Sequence, residues 1–402
     1  MFKPLLLFLF CLLPGMLLAQ KFIDPSRQID TAGKADIIDM GRMLFHISPK
    51  PVTEKKNKSV YFSVLPLSYA VPGGGQALFT STTAGFYMGD RKTTYLSTVT
   101  FTPYFNFKDR YGIPLRSSIW THDNAWNIQG DTRFLVYPQY TWGLGGGEPE
   151  RNKFTVNYQY IRFYQSALKR ITSYFFAGIG YNIDYYLDIE TNNPNALKKF
   201  TGYPYGTSSD QNSFSSGATA NLLYDTRNNE FNPLPGSYTN VVYRINSKVM
   251  GSDANWQSLY VDMRKYISMT TTKEQNVLAF WTYYWTVFNN GVPYLNLPSI
   301  GWDPYQRSGR GIEQNRYRGK SLIYFESEYR RDITSNGFLG FVVFANINSV
   351  TEPATGKFNY WHPATGMGLR IKFNKKSGTN IAIDYGFSQN YSAVTLGLGE
   401  AF

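Results

Sequence analysis

The chain has 402 residues, with 40 Lys and Arg against 28 Asp and Glu for a formal charge of +12, and it is rich in Tyr (32) and Phe (29). Its single cysteine, Cys11, falls inside an apolar N-terminal run, which excludes disulfides, thiolate catalysis and cysteine metal sites from everything after it. No other stretch approaches the roughly eighteen consecutive apolar residues of a transmembrane helix. A mean hydropathy of −0.33 is nevertheless compatible with a membrane barrel, whose strands are polar on the lumen side.

Residues 1–19 read as a secretory signal peptide: Lys3, an apolar core from Leu5 to Leu18 interrupted by Pro14, then Ala19 before Gln20. Phe10, where a lipoprotein signal places a small residue before its cysteine, argues against lipidation at Cys11. Behind such a leader, the basic balance points to lumen ladders, polar turns and contact with anionic lipid head groups, and away from nucleic acid. Residues 20–58 form a short periplasmic segment. There Ile37, Ile38, Met40, Met43, Leu44 and Phe45 have helical spacing and predict an amphipathic helix resting in or under the barrel mouth. The polar run Pro49 to Lys58 is its tether, and a partner-binding or gating role is the sharper alternative.

From residue 59 onward, apolar and polar side chains alternate in about sixteen segments, each near the length of a tilted membrane strand. They are 59–70, 75–88, 92–107, 111–123, 126–138, 153–167, 170–187, 213–226, 236–249, 254–268, 275–288, 320–331, 337–348, 364–374, 379–388 and 391–402. The last three are the clearest: Met367, Leu369, Ile371 and Phe373, then Ile381, Ile383, Tyr385 and Phe387, then Val394, Leu396, Leu398 and Phe402 hold one parity. A soluble sandwich also alternates, but it has no reason to sort its loops. Here every second connection is short, and the long ones (141–152, 189–212, 289–319 and 349–360) all fall in the other set. The fold predicted for 59–402 is therefore all-β: a single-domain, membrane-spanning, up-and-down antiparallel β-barrel with both termini periplasmic. Phe402 is expected on the lipid-facing parity and Glu400 near the periplasmic interface. Tyr181, Tyr185, Tyr186, Tyr283, Tyr284 and Trp285 are read as an interface girdle.

Catalytic signals are weak. Gly319-Lys320-Ser321 lacks the earlier glycine of a P-loop and leads into a strand, His46, His122 and His362 are scattered, and no Gly-x-Ser-x-Gly elbow occurs. No catalytic residue, metal site or cofactor is expected, and the chain is read as a non-enzyme. Gly73-Gly74-Gly75 and Gly145-Gly146-Gly147 read as flexible outer turns.

Three stretches carry a family resemblance. Asp225-Thr226-Arg227-Asn228-Asn229-Glu230-Phe231-Asn232-Pro233-Leu234-Pro235-Gly236 resembles the periplasmic turn of the Omp85 superfamily, also called bacterial surface antigen D15, and lies at the eighth-to-ninth strand junction. Gly309-Arg310-Gly311-Ile312 through Arg316 and Arg318, in the long loop before the twelfth strand, resembles the conserved loop of that family, which folds into the lumen. The ending Gly397 to Phe402 resembles the terminal strand that the cell's barrel-assembly machinery recognises.

The resemblance implies that an arginine of the loop meets carboxylates on the next two strands. Glu326 and Glu328 share the inward parity and are available to Arg310, Arg316 or Arg318, while Asn346 stands where the family has an aspartate and offers a neutral acceptor. Ile312 replaces the usual aromatic after Arg-Gly. Residues 20–58 cannot hold a POTRA module, so the chain resembles the sub-group that is a barrel alone. What the resemblance implies is assistance to insertion or translocation of a polypeptide or lipid client in the outer membrane of a Gram-negative bacterium. A passive or gated channel and a structural scaffold for a partner are the competing readings.

Overall fold

The structure is a computed structural model that describes residues 33–47, 60–70, 76–90, 93–105, 110–193, 212–227, 229–230, 232–233, 235–270 and 275–402, with 60–70 and 76–81 as backbone alone. The predicted signal peptide and the tether lie outside them. Among the described residues no helix is long and apolar enough to cross a membrane.

Among the described residues, sixteen antiparallel strands follow one another around the sheet. They are β1 (Val60–Ala70), β2 (Gln76–Phe86), β3 (Ser97–Phe101, resuming at Tyr104–Phe105), β4 (Tyr111–Gly112 and Leu115–Trp120), β5 (Trp126–Val136 and Gln139–Thr141), β6 (Phe154–Arg170), β7 (Phe175–Thr191) and β8 (Ser213–Asp225). Then come β9 (Gly236–Asn246), β10 (Trp256–Ser268), β11 (Asn276–Val287), β12 (Ser321–Asp332), β13 (Leu339–Val350), β14 (His362–Asn374), β15 (Thr379–Phe387) and β16 (Ser392–Leu398). The three interruptions share a cause. Pro103, Pro114 and Pro138 stand in the gaps of adjacent strands, where an imino acid cannot donate to the ladder. Backbone bonds such as Ile113 N to Phe134 O, 2.9 Å, carry the wall across the break.

Each strand pairs with its sequence neighbour. β1 and β16 approach within 8 Å between Cα atoms, which brings the ends of the sheet together. Among the described residues no ladder joins them.

The wall is inside-out relative to a soluble protein. Charged side chains point into the lumen and are buried: Arg162, Asp184, Arg244, Asp262, Glu328 and Arg330. Apolar side chains of the other parity stand exposed, among them Phe163, Ile179 (76% exposed), Phe325, Val343 and Met367. Charges inside and bare apolar groups outside are stable only where the outer solvent is lipid.

Connections sort by side as expected. Among the inner turns, Asn124 Nδ2 donates to Thr93 O at 2.9 Å; among the outer loops, Gly145 N donates to Arg318 O at 2.8 Å. The helix α1 (Ile37–Leu44) begins at Asp36, whose carboxylate accepts the amides of Ile38 and Asp39 while the Asp39 carboxylate accepts the Asp36 amide. It is latched to the rim at the inner turns through Lys34–Asp332, 3.0 Å, and Lys375–Asp39, 2.6 Å.

Two expectations are corrected. The last strand ends at Leu398 instead of running to 402. Gly399 takes φ +81°, turning Glu400 and Phe402 inward, where both are 2% exposed, so Phe402 leaves the lipid-facing parity and Glu400 is a lumen residue. Of the expected aromatic girdle, Tyr186 and Tyr283 are buried lumen residues and Trp285 lines the lumen chamber. Strand parity decides the side, whatever the chemistry of the tip.

Candidate functional site

The long outer segment 288–320 folds down into the lumen. Its Val292, Leu295, Leu297 and Trp302 are buried, packed against wall residues such as Tyr137, Tyr160 and Tyr186, and Ile300 is buried in a second cluster. Side chains from far-apart strands hold it. Arg116 of β4 and Arg133 of β5 each donate to Pro304 O at 2.6 Å, and Tyr283 of β11 donates to Ser308 Oγ at 3.0 Å. Asp303, fully buried, accepts the amides of Tyr305, Arg307 and Ser308, so the descending strand of the loop turns around one carboxylate.

At the foot of that loop, Arg310 enters a ring of carboxylates. Its Nε donates to Glu326 at 2.9 Å, Nη2 reaches both Glu326 and Glu328, and Nη1 donates to Asp384 Oδ2 of β15 at 2.8 Å. The guanidinium lies over the Phe344 ring, 3.7 Å from its centroid. Tyr324 donates to the second oxygen of Glu326. Arg330 Nε takes the other side of Glu328 at 2.5 Å, and Arg370 bridges Asp384 (2.5 Å) and Glu400 (2.7 Å). The cluster thus sets Arg310, Arg330 and Arg370 against Glu326, Glu328, Asp384 and Glu400. A buried charge is tolerable only when paired in this way, and removing one member strands its neighbours.

The backbone at this point requires glycine. Gly309 and Gly311 have φ of +77° and +85°, and Gly311 rests on Gly386 of β15. Ile312 fills a buried cluster with Ile300, Tyr324 and Phe402, so the position after Arg-Gly keeps an apolar contact without an aromatic ring.

The sequence-predicted residues separate into groups. Arg310 meets Glu326 and Glu328 as expected. Arg316 does not: Nη2 donates to Glu148 O at 2.6 Å among the outer loops, and its guanidinium stacks near Trp142. Arg318, 1% exposed, holds the loop to itself by donating to Tyr294 O at 2.9 Å. Asn346 is not an acceptor for the guanidinium. Its Nδ2 donates to the Arg310 carbonyl at 2.9 Å. The residues that sequence reasoning missed are Asp384, Arg370 and Arg330. Each sits on the polar parity of an identified strand, and Arg370 meets Asp384 across the β14–β15 ladder, but only the descent of the loop brings Arg310 between them and Glu326.

The inner end is closed by the predicted periplasmic turn. Arg227 forms a two-pronged pair with Asp225 (2.9 and 2.8 Å) and lies 4.1 Å from the Tyr238 centroid. Asn229 reaches the turn between β14 and β15, donating to Ser377 O at 2.6 Å. Asn232 meets Gly378 O and exchanges bonds with Gln275 before β11. Pro233 is buried, and Gly236 opens β9 where a Cβ would lie 3.0 Å from Thr226 O. Asn228, Phe231 and Leu234 of the motif lie outside the described residues. Gly397 pairs with Ala382 on β16, and Phe402 packs its ring 5.3 Å from Trp281 while Arg330 donates to its carbonyl at 2.9 Å. Between loop and turn remains a chamber of about 360 Å³, lined by charged and aromatic side chains together.

No family model matches the sequence, and no curated protein does. Solved structures do. BamA from Haemophilus ducreyi lacking POTRA domains 1–3 superposes with a TM-score of 0.54 at 13% identity, over 85% of this chain and 69% of that one. CdiB from Escherichia coli gives 0.55 at 10% identity over 87% of this chain and 62% of that one. CdiB from Acinetobacter baumannii gives 0.52 at 11% over 85% and 59%. The chain therefore spans less than two thirds of either CdiB. The likeness is one of fold: this chain is an outer-membrane-type β-barrel with the architecture of BamA and CdiB, as the Omp85 resemblance implied.

Proposed function

We propose that the chain is an Omp85-type barrel of the outer membrane of a Gram-negative bacterium, both termini periplasmic, that assists insertion or translocation of a polypeptide or lipid without catalytic chemistry. The observation that carries this reading is the seam. β16 has 7 residues where a membrane strand needs about 9–11, and no ladder joins it to β1 among the described residues. A short strand with free edge groups thins the apolar band locally and offers unpaired N–H and C=O groups to an incoming strand or a lipid head group. The lumen, by contrast, is filled from both ends, which favours lateral traffic over passage through the pore. Barrel-assembly machinery acting on the β16 end, Gly397 and Phe402 included, belongs to the same reading as the route of biogenesis.

Vesicles containing the purified protein are expected to fold a test barrel faster than vesicles containing an unrelated closed barrel; equal rates across several clients would sink the proposal. A gated channel is the second reading, favoured by the charged cluster at Arg310, whose release would free the foot of the loop. A scaffold role for residues 20–58 is the third, tested by capture of a partner with and without that segment.

A further inference from the structure

The helix α1 is attached the wrong way round for a core element. Its polar side, Asp39, is tied to Lys375 at 2.6 Å, and Asp36 accepts Lys375 N at 3.2 Å, while none of its residues is buried. At 100° per residue, Ile37 and Leu44 fall on the side opposite Asp39 and Arg42, Ile38 and Met43 flank it, and Phe45 and Ile47 follow the end of the helix. They stay bare: Ile38 is 58% exposed, Met43 66%, Leu44 73% and Phe45 72%. Two features fix what covers them. The anchoring points, the turn at Asn336 and the turn at Lys375, lie at the periplasmic rim, where the outward apolar band ends and Ile333 is itself 58% exposed. Beyond the paired Lys34–Asp332 and Lys375–Asp39, the helix and the two turn regions it is tied to carry Arg42, Arg331 and Lys376.

We infer that the apolar face of α1 inserts into the periplasm-facing leaflet beside β13 to β15 and that this basic rim engages anionic phospholipid head groups. Apolar burial supplies the insertion and the lysine and arginine charges supply the head-group preference. The helix then acts as a lipid anchor on the rim and neither plugs the lumen nor waits for a protein. This inference rests on the outer-membrane reading above.

The test uses the full chain in a Cys11→Ser background, reconstituted in vesicles, with a spin label at Leu44→Cys or Phe45→Cys and controls at His46→Cys on the polar side and Val343→Cys on the barrel wall. In vesicles of phosphatidylethanolamine with phosphatidylglycerol, labels at 44 and 45 are expected to be several-fold less accessible to a water-soluble nickel reagent than the label at 46. The shielding is expected to weaken in phosphatidylcholine alone and in an Arg42→Glu, Lys376→Glu variant. Equal nickel access at 44, 45 and 46 with Val343→Cys still shielded would overturn the anchor while leaving the barrel intact. Nickel access at Val343→Cys would instead strike the membrane reading itself. Shielding that appears only as the protein-to-lipid ratio rises would assign the face to a second copy, and shielding indifferent to head-group charge would remove the anionic partner.

Discussion

Gly311 and Gly386 meet backbone to backbone: a Cβ on Gly311 would lie 2.6 Å from the amide nitrogen of Phe387, and one on Gly386 would lie 2.6 Å from the amide nitrogen of Gly311. The loop that carries Arg310 therefore docks on β15 through two residues without side chains, and the depth of Arg310 in the carboxylate cluster depends on this contact. Gly386→Ala is expected to lift the loop foot and loosen the Arg310–Asp384 pair while the ladders of β15 persist. Heat-modified electrophoretic mobility should show a folded barrel, and limited proteolysis should show new cleavage within 300–318. Unchanged protection of the loop would mean that Gly386 is not its seat.

The charge cluster is expected to behave as a unit. Arg310→Ala leaves Glu326 with Tyr324 alone among the contacts described above, and breaking a buried pair in this way costs about 3–5 kcal/mol. Because the loss comes mainly from the stranded carboxylate, Arg310→Ala combined with Glu326→Gln should be less destabilised than the sum of the single variants, with a coupling of about 0.5–3 kcal/mol. Arg310→Lys should not rescue, since one ammonium cannot reach Glu326, Glu328 and Asp384 together. Additive losses in denaturant titrations would contradict a shared network.

Asn232 and Gln275 exchange side-chain bonds across the inner mouth, the stronger being Gln275 Nε2 to Asn232 Oδ1 at 2.7 Å. Removing both by Asn232→Ala and Gln275→Ala should open the chamber at its inner end. In a Cys11→Ser background with Tyr305→Cys, a bulky maleimide applied from that side is expected to react several-fold faster than without the Asn232 and Gln275 changes. An unaltered rate would show that the turn 226–235 does not close the mouth.

Phe402 is a lumen residue, so its truncation should act on folding energetics. Phe402→Ala removes a ring packed on Trp281 and Tyr266 and is expected to cost about 3–5 kcal/mol, seen as a lower temperature of barrel unfolding. If the residue also serves as an assembly signal, export in cells should fall further than that of a Trp281→Ala variant of matched stability; matched export would confine Phe402 to packing.

Much of the barrel was legible in the sequence, because a wall between two solvents writes its period into every strand. The sixteen strands and the sorting of long and short loops follow from that, as do the inward Glu326 and Glu328 and the helix at 37–44. The three proline breaks in β3, β4 and β5 were not seen, since each proline sits inside a run whose alternation continues on both sides. What failed concerns direction and distance. The parity of Phe402 was extrapolated through Gly399, whose positive φ ends the alternation. Arg316 could not be told from Arg310 by residue type, because only the descent of the loop decides which arginine reaches the carboxylates. Asp384 joined the cluster from β15, three strands along the wall from Glu326, through an arginine of the loop, a relationship that strand periodicity does not encode.

The central claim is that the loop at Arg310 seals the lumen and leaves the β1–β16 edge as the working surface. Steady conductance of the purified protein in planar bilayers tests it most directly. The account predicts a wild-type trace close to the bare membrane and a sustained rise in Arg310→Ala, whereas a large, stable wild-type conductance unaffected by Arg310→Ala would contradict it.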